Sequence, residues 1–214
     1  MYQNDPQKVL TGECRLSYVF LNEPQIRIDK KTGLQDGEPK YNVTLLIPKS
    51  DTETLKAIKE AMEAANDHGL KKLWGGMQPR YASVLHDGDG TKENGAPYSD
   101  ECKGCWVMTA SSLKKPQVVS PKNTRVCLPP EEVYSGMYGR VTIRFYAYAN
   151  SSRGVAAGLG NVLKTRDGEP LTGGASAAVD FEGFEEAGGA ASDFGGVDPI
   201  TGMTIVNPIT GLPY

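Results

Sequence analysis

A chain of 214 residues, 39% hydrophobic and 23% charged, is long enough to fold around an apolar core without disulfides or metals. No apolar run approaches the roughly 20 residues of a membrane-spanning helix, which argues against a membrane protein. The N-terminal MYQNDPQKVL lacks the basic, apolar and small-residue succession of a signal peptide, so we expect a cytoplasmic protein with no membrane partner.

The charge of the chain is unevenly distributed. Residues 171–214 contain six acidic residues and no Lys or Arg, so residues 1–170 hold the other 20 of the 26 acidic residues against all 23 basic ones. A mildly basic body with an acidic tail favours a polyanionic partner, although acidic tails also promote solubility. We therefore predict a folded domain at 1–170 and an acidic Gly/Ala-rich tail at 171–214. The tail is predicted to be disordered at about 173–196 and ends in a short Pro-Ile-Thr-Gly repeat.

Extended segments are predicted at 9–20, 25–29 and 40–48. Strand alternation gives the first segment one apolar face, formed by Cys14, Leu16, Tyr18 and Phe20. Pro24 separates the first segment from the second, and a turn rich in Gly, Asp and Pro separates the second from the third. The second and third segments are therefore predicted to form a β-hairpin with a long charged tip.

A helix is predicted at 50–68. Ser50-Asp-Thr-Glu53 fits a capping box, in which the serine and glutamate side chains satisfy the first amides of the helix. The apolar stripe at helical spacing consists of Leu55, Ile58, Met62 and Ala65. Gly69 is predicted to be the C-terminal stop.

Two short patterns raise the question of a metal site. Cys102-Lys-Gly-Cys105 has the spacing of half a zinc site, but the sequence has no second close pair of cysteines. His86, Asp87 and Asp89 suggest the divalent metal of a nuclease, but they lack the spacing and final Glu of a calcium loop, and Asx-rich turns have the same composition. We therefore expect no metal, no cofactor and no catalytic residues.

A short strand predicted at 104–111 leads into the most cationic stretch of the chain. Trp106 in this strand is either a core anchor or a stacking partner for bases. Lys114 and Lys115 begin a stretch bounded by prolines, which cannot form a long helix and is predicted to be an exposed loop. Beside an aromatic surface, these two lysines are candidate phosphate contacts.

The strand predicted at 138–149, YGRVTIRFYAYA, has two very different faces. One face is apolar and consists of Val141, Ile143, Phe145 and Ala147. The other consists of Tyr138, Arg140, Thr142, Arg144, Tyr146 and Tyr148. Tyrosine rings can stack on bases and guanidinium groups can pair with phosphates, so this second face is a candidate nucleic-acid platform. Tyrosine is also a good strand former, and a protein layer packed over this face would select the same residues.

The glycine-rich segment 155–166 is predicted to be an extra element outside the main sheet. Gly158-Leu-Gly160 is not a dinucleotide-binding fingerprint, because the third glycine and the acidic partner are missing. Small residues here would allow close backbone packing or the approach of a ligand. Arg153, in the turn before this segment, is a further candidate phosphate contact.

The predicted order of strand, strand, strand, helix, strand, strand favours a mainly β protein with one helix, built as an OB-fold-like five-stranded barrel with long loops. The barrel strands are those predicted at 9–20, 25–29, 40–48, 104–111 and 138–149. A β-sandwich with one helix has the same order and stays open as an alternative.

Four stretches resemble one known family. They are GECRLSYVFLNEP, YNVTLLIPKS, CWVMTASSLKKPQVV and EVYSGMYGRVTIRFYAYANSSRGVAAGLGNVLKTRDGEPLTGG. Together with the acidic tail, they are similar to the bacteriophage single-stranded DNA-binding proteins of OB fold, over roughly 9–174 and most strongly at 133–174. The resemblance implies a non-catalytic protein that coats single strands in phage DNA replication or recombination, in the host cytoplasm. It also implies partner proteins that bind the tail, although this tail does not end in acids and Phe as bacterial tails do.

The sequence thus predicts sequence-tolerant binding of single-stranded DNA by base stacking and phosphate neutralisation. The candidate binding residues are Tyr138, Arg140, Arg144, Tyr146, Tyr148, Trp106, Lys114, Lys115 and Arg153. A protein-interaction domain of a replication or virion assembly would use the same Tyr/Arg face as a subunit interface, because Tyr and Arg are enriched at interface hot spots. The sequence leaves the oligomeric state open, a homo-oligomer included.

Overall fold

The computed structural model of the protein describes residues 5–28, 32–92, 94–150 and 152–171. Within these ranges it contains one α-helix, nine strands and two short 3₁₀ turns. The strands are β1 (Lys8–Leu10), β2 (Cys14–Gln25), β3 (Lys40–Pro48), β4 (Leu85–Asp87), β5 (Cys105–Ser112), β6 (Val118–Ser120), β7 (Asn123–Cys127), β8 (Tyr138–Ala149) and β9 (Arg153–Arg166). The helix is α1 (Thr52–Lys72), and the 3₁₀ turns are Asp100–Cys102 and Pro130–Glu132.

Five strands close into a barrel. β2 pairs with β3, β3 with β5, β5 with β9, β9 with β8, and β8 returns to β2. Only the β5–β9 pair in this ring is parallel, with Ser111 opposite Gly158. The architecture is the predicted OB-fold-like barrel with one helix.

The barrel uses different strands from those predicted. The strand predicted at 25–29 is not a separate element over its described residues 25–28, because β2 continues through Pro24 to Gln25 and Ile28 makes only an isolated bridge to Gln35. β9, predicted as an extra element, is the fifth barrel strand. Its Gly and Ala residues hide the β-branched alternation by which a strand is normally recognised. The helix consequently lies between the second and third barrel strands in chain order.

The sheet also extends beyond the barrel. β1 pairs with β8, β4 pairs with β5, and β6 pairs with β9. β6 and β7 form a hairpin, so part of the stretch predicted as a loop after Lys115 is ordered as two short strands. All five residues of β7 are exposed.

The helix begins and ends later than predicted. Its N-cap is Asp51, whose carboxylate accepts from the backbone N–H of Thr54 at 3.0 Å, so Ser50 does not cap it. Gly69 lies inside the helix and is not its stop. A Cβ at this position would lie 2.6 Å from the indole of Trp74, so the glycine makes room for a buried ring. The helix therefore continues to Lys72.

The core fills the barrel and the space beneath the helix. Ile58, Ala61 and Ala65 of α1 are buried together with the inward face of β8, which is Val141, Ile143 and Phe145. Trp74 is also buried and donates from Nε1 to the backbone carbonyl of Tyr148 at 2.9 Å. None of the helices within the described ranges has the length and apolar content needed to span a membrane. Because the inward face of β8 is packed, its other face lies on the outside of the barrel.

Candidate nucleic-acid interface

The outward face of β8 holds the Tyr/Arg row. Arg140 and Arg144 are exposed, and Tyr146 is 42% exposed, whereas Ile143 and Phe145 between them are buried. The alternation predicted for this strand is therefore confirmed. It places guanidinium groups and at least one accessible ring on a single surface.

The neighbouring strand β9 presents small residues beside this row. Gly154 lies opposite Tyr148, Ala156 opposite Tyr146, and Gly158 opposite Arg144. A Cβ at Gly158 would lie 3.3 Å from Cε1 of Tyr146, so the ring lies directly against the bare backbone of β9. The result is a groove along the β8–β9 hairpin, with a cavity of about 410 Å³ that Arg144, Tyr146, Gly158 and Gly160 help to line.

Other charged groups border this groove. Lys8 of β1 lies opposite Arg144 and lines the same cavity, and Asp5 pairs with the Nε of Arg144 at 3.5 Å. Lys114 and Lys115 are exposed in the loop that links β5 to β6. This loop is anchored beside the glycines of β9, because Ser111 pairs with Gly158 and Gln117 N–H donates to the side chain of Asn161 at 3.1 Å. The loop that carries both lysines therefore begins and ends beside β9.

Tyr138, at the start of the row, is not a free platform. The guanidinium carbon of Arg166 lies 3.4 Å from the centroid of its ring, and that of Arg15 lies 6.0 Å away. Glu13 accepts from the Nε of Arg166 at 2.9 Å and from the hydroxyl of Thr165 at 2.6 Å. The Thr165 hydrogen bond, followed by Arg166, lowers the pKa of Glu13, and the bond to Glu13 raises the pKa of Arg166.

Tyr148, at the far end of the row, is partly enclosed. A Cβ at Gly154 would lie 2.8 Å from its hydroxyl oxygen and 3.1 Å from Cβ of Tyr81, so these three residues are in close proximity. Burial, the largest cause, and the nearby Tyr148 raise the pKa of Tyr81. Arg153 is exposed at the start of β9, opposite Ala149. At this end of the row, Arg153 is exposed and could contact a phosphate, but the Tyr148 ring is only partly accessible to a base.

Trp106 lies away from the row. It is half-buried, packs against the main core and has Lys49 Nζ 5.6 Å from its ring centroid. Lys49 also bridges Asp87 and Asp89, at 2.5 and 2.7 Å. This bridge is the largest cause of the lowered pKa of each carboxyl. Asp87 and Asp89, the two acids suggested for a nuclease site, thus both form ion pairs with the same lysine, Lys49.

The thiols of Cys102 and Cys105 are only weakly acidic in this setting. Burial is the first cause that raises the pKa of each thiol, which disfavours the thiolate form that binds zinc. Across the described ranges, no three His, Cys, Asp or Glu side chains gather where they could hold a metal ion.

A family model described as the single-stranded DNA-binding protein of Enterobacter phage Enc34 matches residues 7–193 of the chain. The chain belongs to this Enc34 family. A curated relative, protein p50 of Acyrthosiphon pisum secondary endosymbiont phage 1, is 31% identical over 183 residues, which cover 81% of this chain and 91% of the relative.

Solved structures agree with membership of the Enc34 family. The Enc34 protein in complex with single-stranded DNA has a TM-score of 0.61 and 29% identity to this chain, and the match covers 77% of this chain and 89% of the Enc34 chain. The single-stranded DNA-binding protein of bacteriophage T7 has a TM-score of 0.51 at 14% identity, covering 85% of this chain and 96% of that one. The T7 likeness shows the fold alone.

Sequence reasoning missed one aromatic residue of this Enc34-family barrel. Tyr18 was predicted on the apolar face of the first strand, but it is 62% exposed. The β2–β3 register shifts between Ser17 and Phe20, and Tyr18 has a φ of 47°, so a β-bulge turns its side chain outward. Ser135 Oγ accepts from the N–H of Val19 at 3.0 Å and so satisfies the bulged backbone. Only the unusual backbone reveals this position.

Tyr18 borders a second cleft, of about 440 Å³, on the outside of β2, β3 and β5. The barrel side of this cleft includes Thr44 and Thr109, whose hydroxyls are 2.9 Å apart. The other side includes His86, Lys92 and Tyr98. The second and third strands of an OB barrel commonly face the ligand, so this cleft is a second candidate surface.

Proposed function

We propose that the chain binds single-stranded DNA without strong sequence preference, as a non-catalytic protein of phage DNA replication or recombination. The observation that carries the proposal is the exposed Tyr146 ring, which lies beside Arg144 over a glycine-lined groove in a family of single-stranded DNA-binding proteins. The relative solved with single-stranded DNA supports it.

Each part of the groove suits one part of a nucleotide. A base can stack on Tyr146, and stacking contributes about 1–3 kcal/mol per base whatever the base is. Arg144 lines the groove and would neutralise a phosphate, and Arg140 and Arg153 would do so nearer its two ends. Lys114 and Lys115 are exposed in the loop after β5 and are further candidates for phosphate contacts. The binding should therefore be strongly salt-dependent and tolerant of sequence.

The cleft beside Tyr18 is the alternative location for the same function. It combines two tyrosines with a lysine and is formed by strands that commonly bind ligands in this fold. A strained residue at a bulge is also a frequent feature of functional sites. The two surfaces make opposite predictions for single substitutions.

The deciding experiment is fluorescence anisotropy of a labelled oligothymidine with the parent protein, Tyr146→Ala and Tyr18→Ala. We expect the parent affinity to fall as salt rises, and Tyr146→Ala to bind at least about fivefold more weakly, from the loss of one stacked base. The two tyrosine variants serve as controls for each other, because each removes one ring from one surface and leaves the net charge unchanged.

Two other outcomes would redirect the proposal. If only Tyr18→Ala weakens binding, the DNA lies in the second cleft. If the parent binds no oligonucleotide and Tyr146→Ala instead changes the oligomeric state, the Tyr/Arg face is a subunit interface, as in the protein-interaction hypothesis. Light scattering on the same samples measures that state.

We further propose that the folded domain ends near residue 170 and that the acidic tail meets partner proteins. The predicted disorder and terminal repeat of the tail lie outside the described residues, and the family match extends into the tail as far as residue 193. A truncation that ends at Gly174 should keep the melting temperature of the parent. A large loss of stability would place part of the tail in the folded domain.

A further inference from the structure

The start of β8 brings together three residues from three adjacent strands. Arg15 of β2 lies directly opposite Tyr138 of β8, and Arg166 of β9 lies opposite the same tyrosine on its other side. Arg140 is exposed two residues further along the same face of β8. The barrel therefore positions a tyrosine between two arginines at one end of the Tyr/Arg row.

The contacts show which part of this cluster is available. Arg166 covers the Tyr138 ring at 3.4 Å, which leaves no room for a base on that side of the ring. Gly168 closes in on the ring edge, because a Cβ there would lie 2.7 Å from Cε2 of Tyr138. The arginine, in contrast, has a side chain that is 53% exposed. The Arg166 side chain is thus more accessible to a ligand than the half-buried Tyr138 ring.

The hydrogen bonds of the two arginines leave donors for a ligand. A guanidinium has five N–H donors in a planar fork that matches a phosphate. Arg166 makes its ion pair with Glu13 through Nε, and Arg15 donates from one terminal nitrogen to the carbonyl of Glu169 at 2.8 Å. The Nε of Arg15 is buried without a hydrogen-bond partner within the described residues, so the Arg15 donors that a ligand could reach are those on its terminal nitrogens. Each arginine is therefore oriented by the protein without using up its donors.

We propose that Arg15 and Arg166, which approach the Tyr138 ring from the two strands that flank β8, form a clamp for a backbone phosphate of the bound strand, and that Tyr138 positions them. This inference rests on the proposed function, since the phosphate belongs to the single-stranded DNA. In this proposal Tyr138 does not stack on a base; it holds the two arginine side chains in position. The clamp would then add a phosphate contact at the end of β8 that lies opposite the Tyr146 stacking site.

The test compares two ligands of equal length, a labelled oligothymidine and an abasic deoxyribose-phosphate strand, over a series of salt concentrations. The variants are Arg166→Gln, Arg166→Lys, Tyr138→Leu and Tyr138→Phe, with Lys56→Gln as the charge control. Thermal melting confirms that each is folded. Because Arg166 is half-exposed, Arg166→Gln carries the decision if Tyr138→Leu unfolds.

We expect Arg166→Gln to weaken both ligands by the same factor, about threefold to tenfold. The slope of log affinity against log salt should fall by about 0.7, the value for one lost phosphate contact to a single strand. Arg166→Lys should keep the salt slope but lower the affinity, because an ammonium group neither stacks on an aromatic ring nor makes bidentate hydrogen bonds to a phosphate. Tyr138→Leu should weaken both ligands equally, and Tyr138→Phe should rescue that loss.

Two results would overturn the clamp. One is a Tyr138→Leu variant that loses affinity for oligothymidine alone, which would make Tyr138 a base platform after all. The other is an Arg166→Gln variant with the parent's affinity and salt slope. In both cases the parent still binds DNA, whereas a parent that binds neither ligand overturns the proposed function itself.

Discussion

Tyr138 and Tyr146 are the same residue on the same face of the same strand, about 26 Å apart at the 3.3 Å rise of a strand. The first ring lies under the Arg166 guanidinium, while the second is 42% exposed. The difference comes from the facing positions on β9, which are Arg166 for Tyr138 and Ala156 for Tyr146. Strand alternation thus decides which face a side chain lies on, and the residue opposite decides whether that side chain is available.

The largest expected effect separates base binding from backbone binding. Tyr146→Ala should lose about 1–3 kcal/mol of binding free energy for oligothymidine, the usual contribution of one stacked base. For an abasic strand the same variant should bind nearly as the parent does, because no base is present to stack. Anisotropy titrations of both strands measure this, and an equal loss for both would remove Tyr146 from the base-stacking role.

For the free energy of unfolding, we expect the Tyr138 substitution to have a larger effect than the Tyr146 substitution. Tyr138→Ala removes a ring packed against Arg166 and Gly168, so the free energy of unfolding should fall by about 1–2 kcal/mol. Tyr146→Ala should lower it by less, about 0.5 kcal/mol, since this residue is 42% exposed. Urea unfolding followed by circular dichroism compares the two. Equal losses would show that both rings are structural.

A smaller effect is expected from filling the groove. Gly158→Ala places a methyl group 3.1 Å from the backbone oxygen of Arg144 and 3.3 Å from the Tyr146 ring, so the ring must tilt. We expect a stability cost of about 1 kcal/mol and a twofold to threefold loss of affinity for oligothymidine, of the order of the costs of overpacking. Unchanged affinity would mean that the strand does not need the bare backbone of β9.

The smallest expected effect concerns acid pH at the Tyr138 end. The pKa of Glu13 lies below its ordinary value of 4.5 in the folded protein, so its stabilising contribution is present above that pH and is lost as pH falls through the lowered value. Glu13→Gln should therefore lose less stability than the parent between pH 7 and pH 3. Urea unfolding at both values measures this, with Glu60→Gln on α1 as the control. A parallel loss in Glu13→Gln and the parent would contradict it.

The sequence predicted the fold better than it predicted the individual strands. The faces of β8 followed from alternation because Val141, Ile143 and Phe145 are unmistakably apolar. β9 was not recognised as a barrel strand, because glycine and alanine have low strand propensity. These small residues lie beside Tyr146 and leave space for the groove. Its place in the barrel is set by tertiary pairing.

For the candidate site, the sequence predicted which residue types lie on the outward face of β8, but not which other residues pack against them. The row of tyrosines and arginines is visible in the sequence, but the arginine that covers Tyr138 is 28 residues away along the chain. Tyr18 shows the same limit, since a bulge after Ser17 reverses the face on which alternation places it. Such register shifts depend on partners such as Ser135, which no local pattern identifies.

The parallel seam of the barrel consists of one residue pair, Ser111 and Gly158, whereas β8 and β9 are joined along almost their whole length. Even with the neighbouring β6–β9 pairing, this side of β9 has fewer backbone pairs than the side that faces β8, so we expect this wall of the groove to yield more readily as purines or pyrimidines pass. Adaptable width would let one surface accept bases of unequal size. Amide hydrogen exchange should accordingly be faster at Ser111 than at Phe145 in the middle of β8, and equal protection would show a rigid wall.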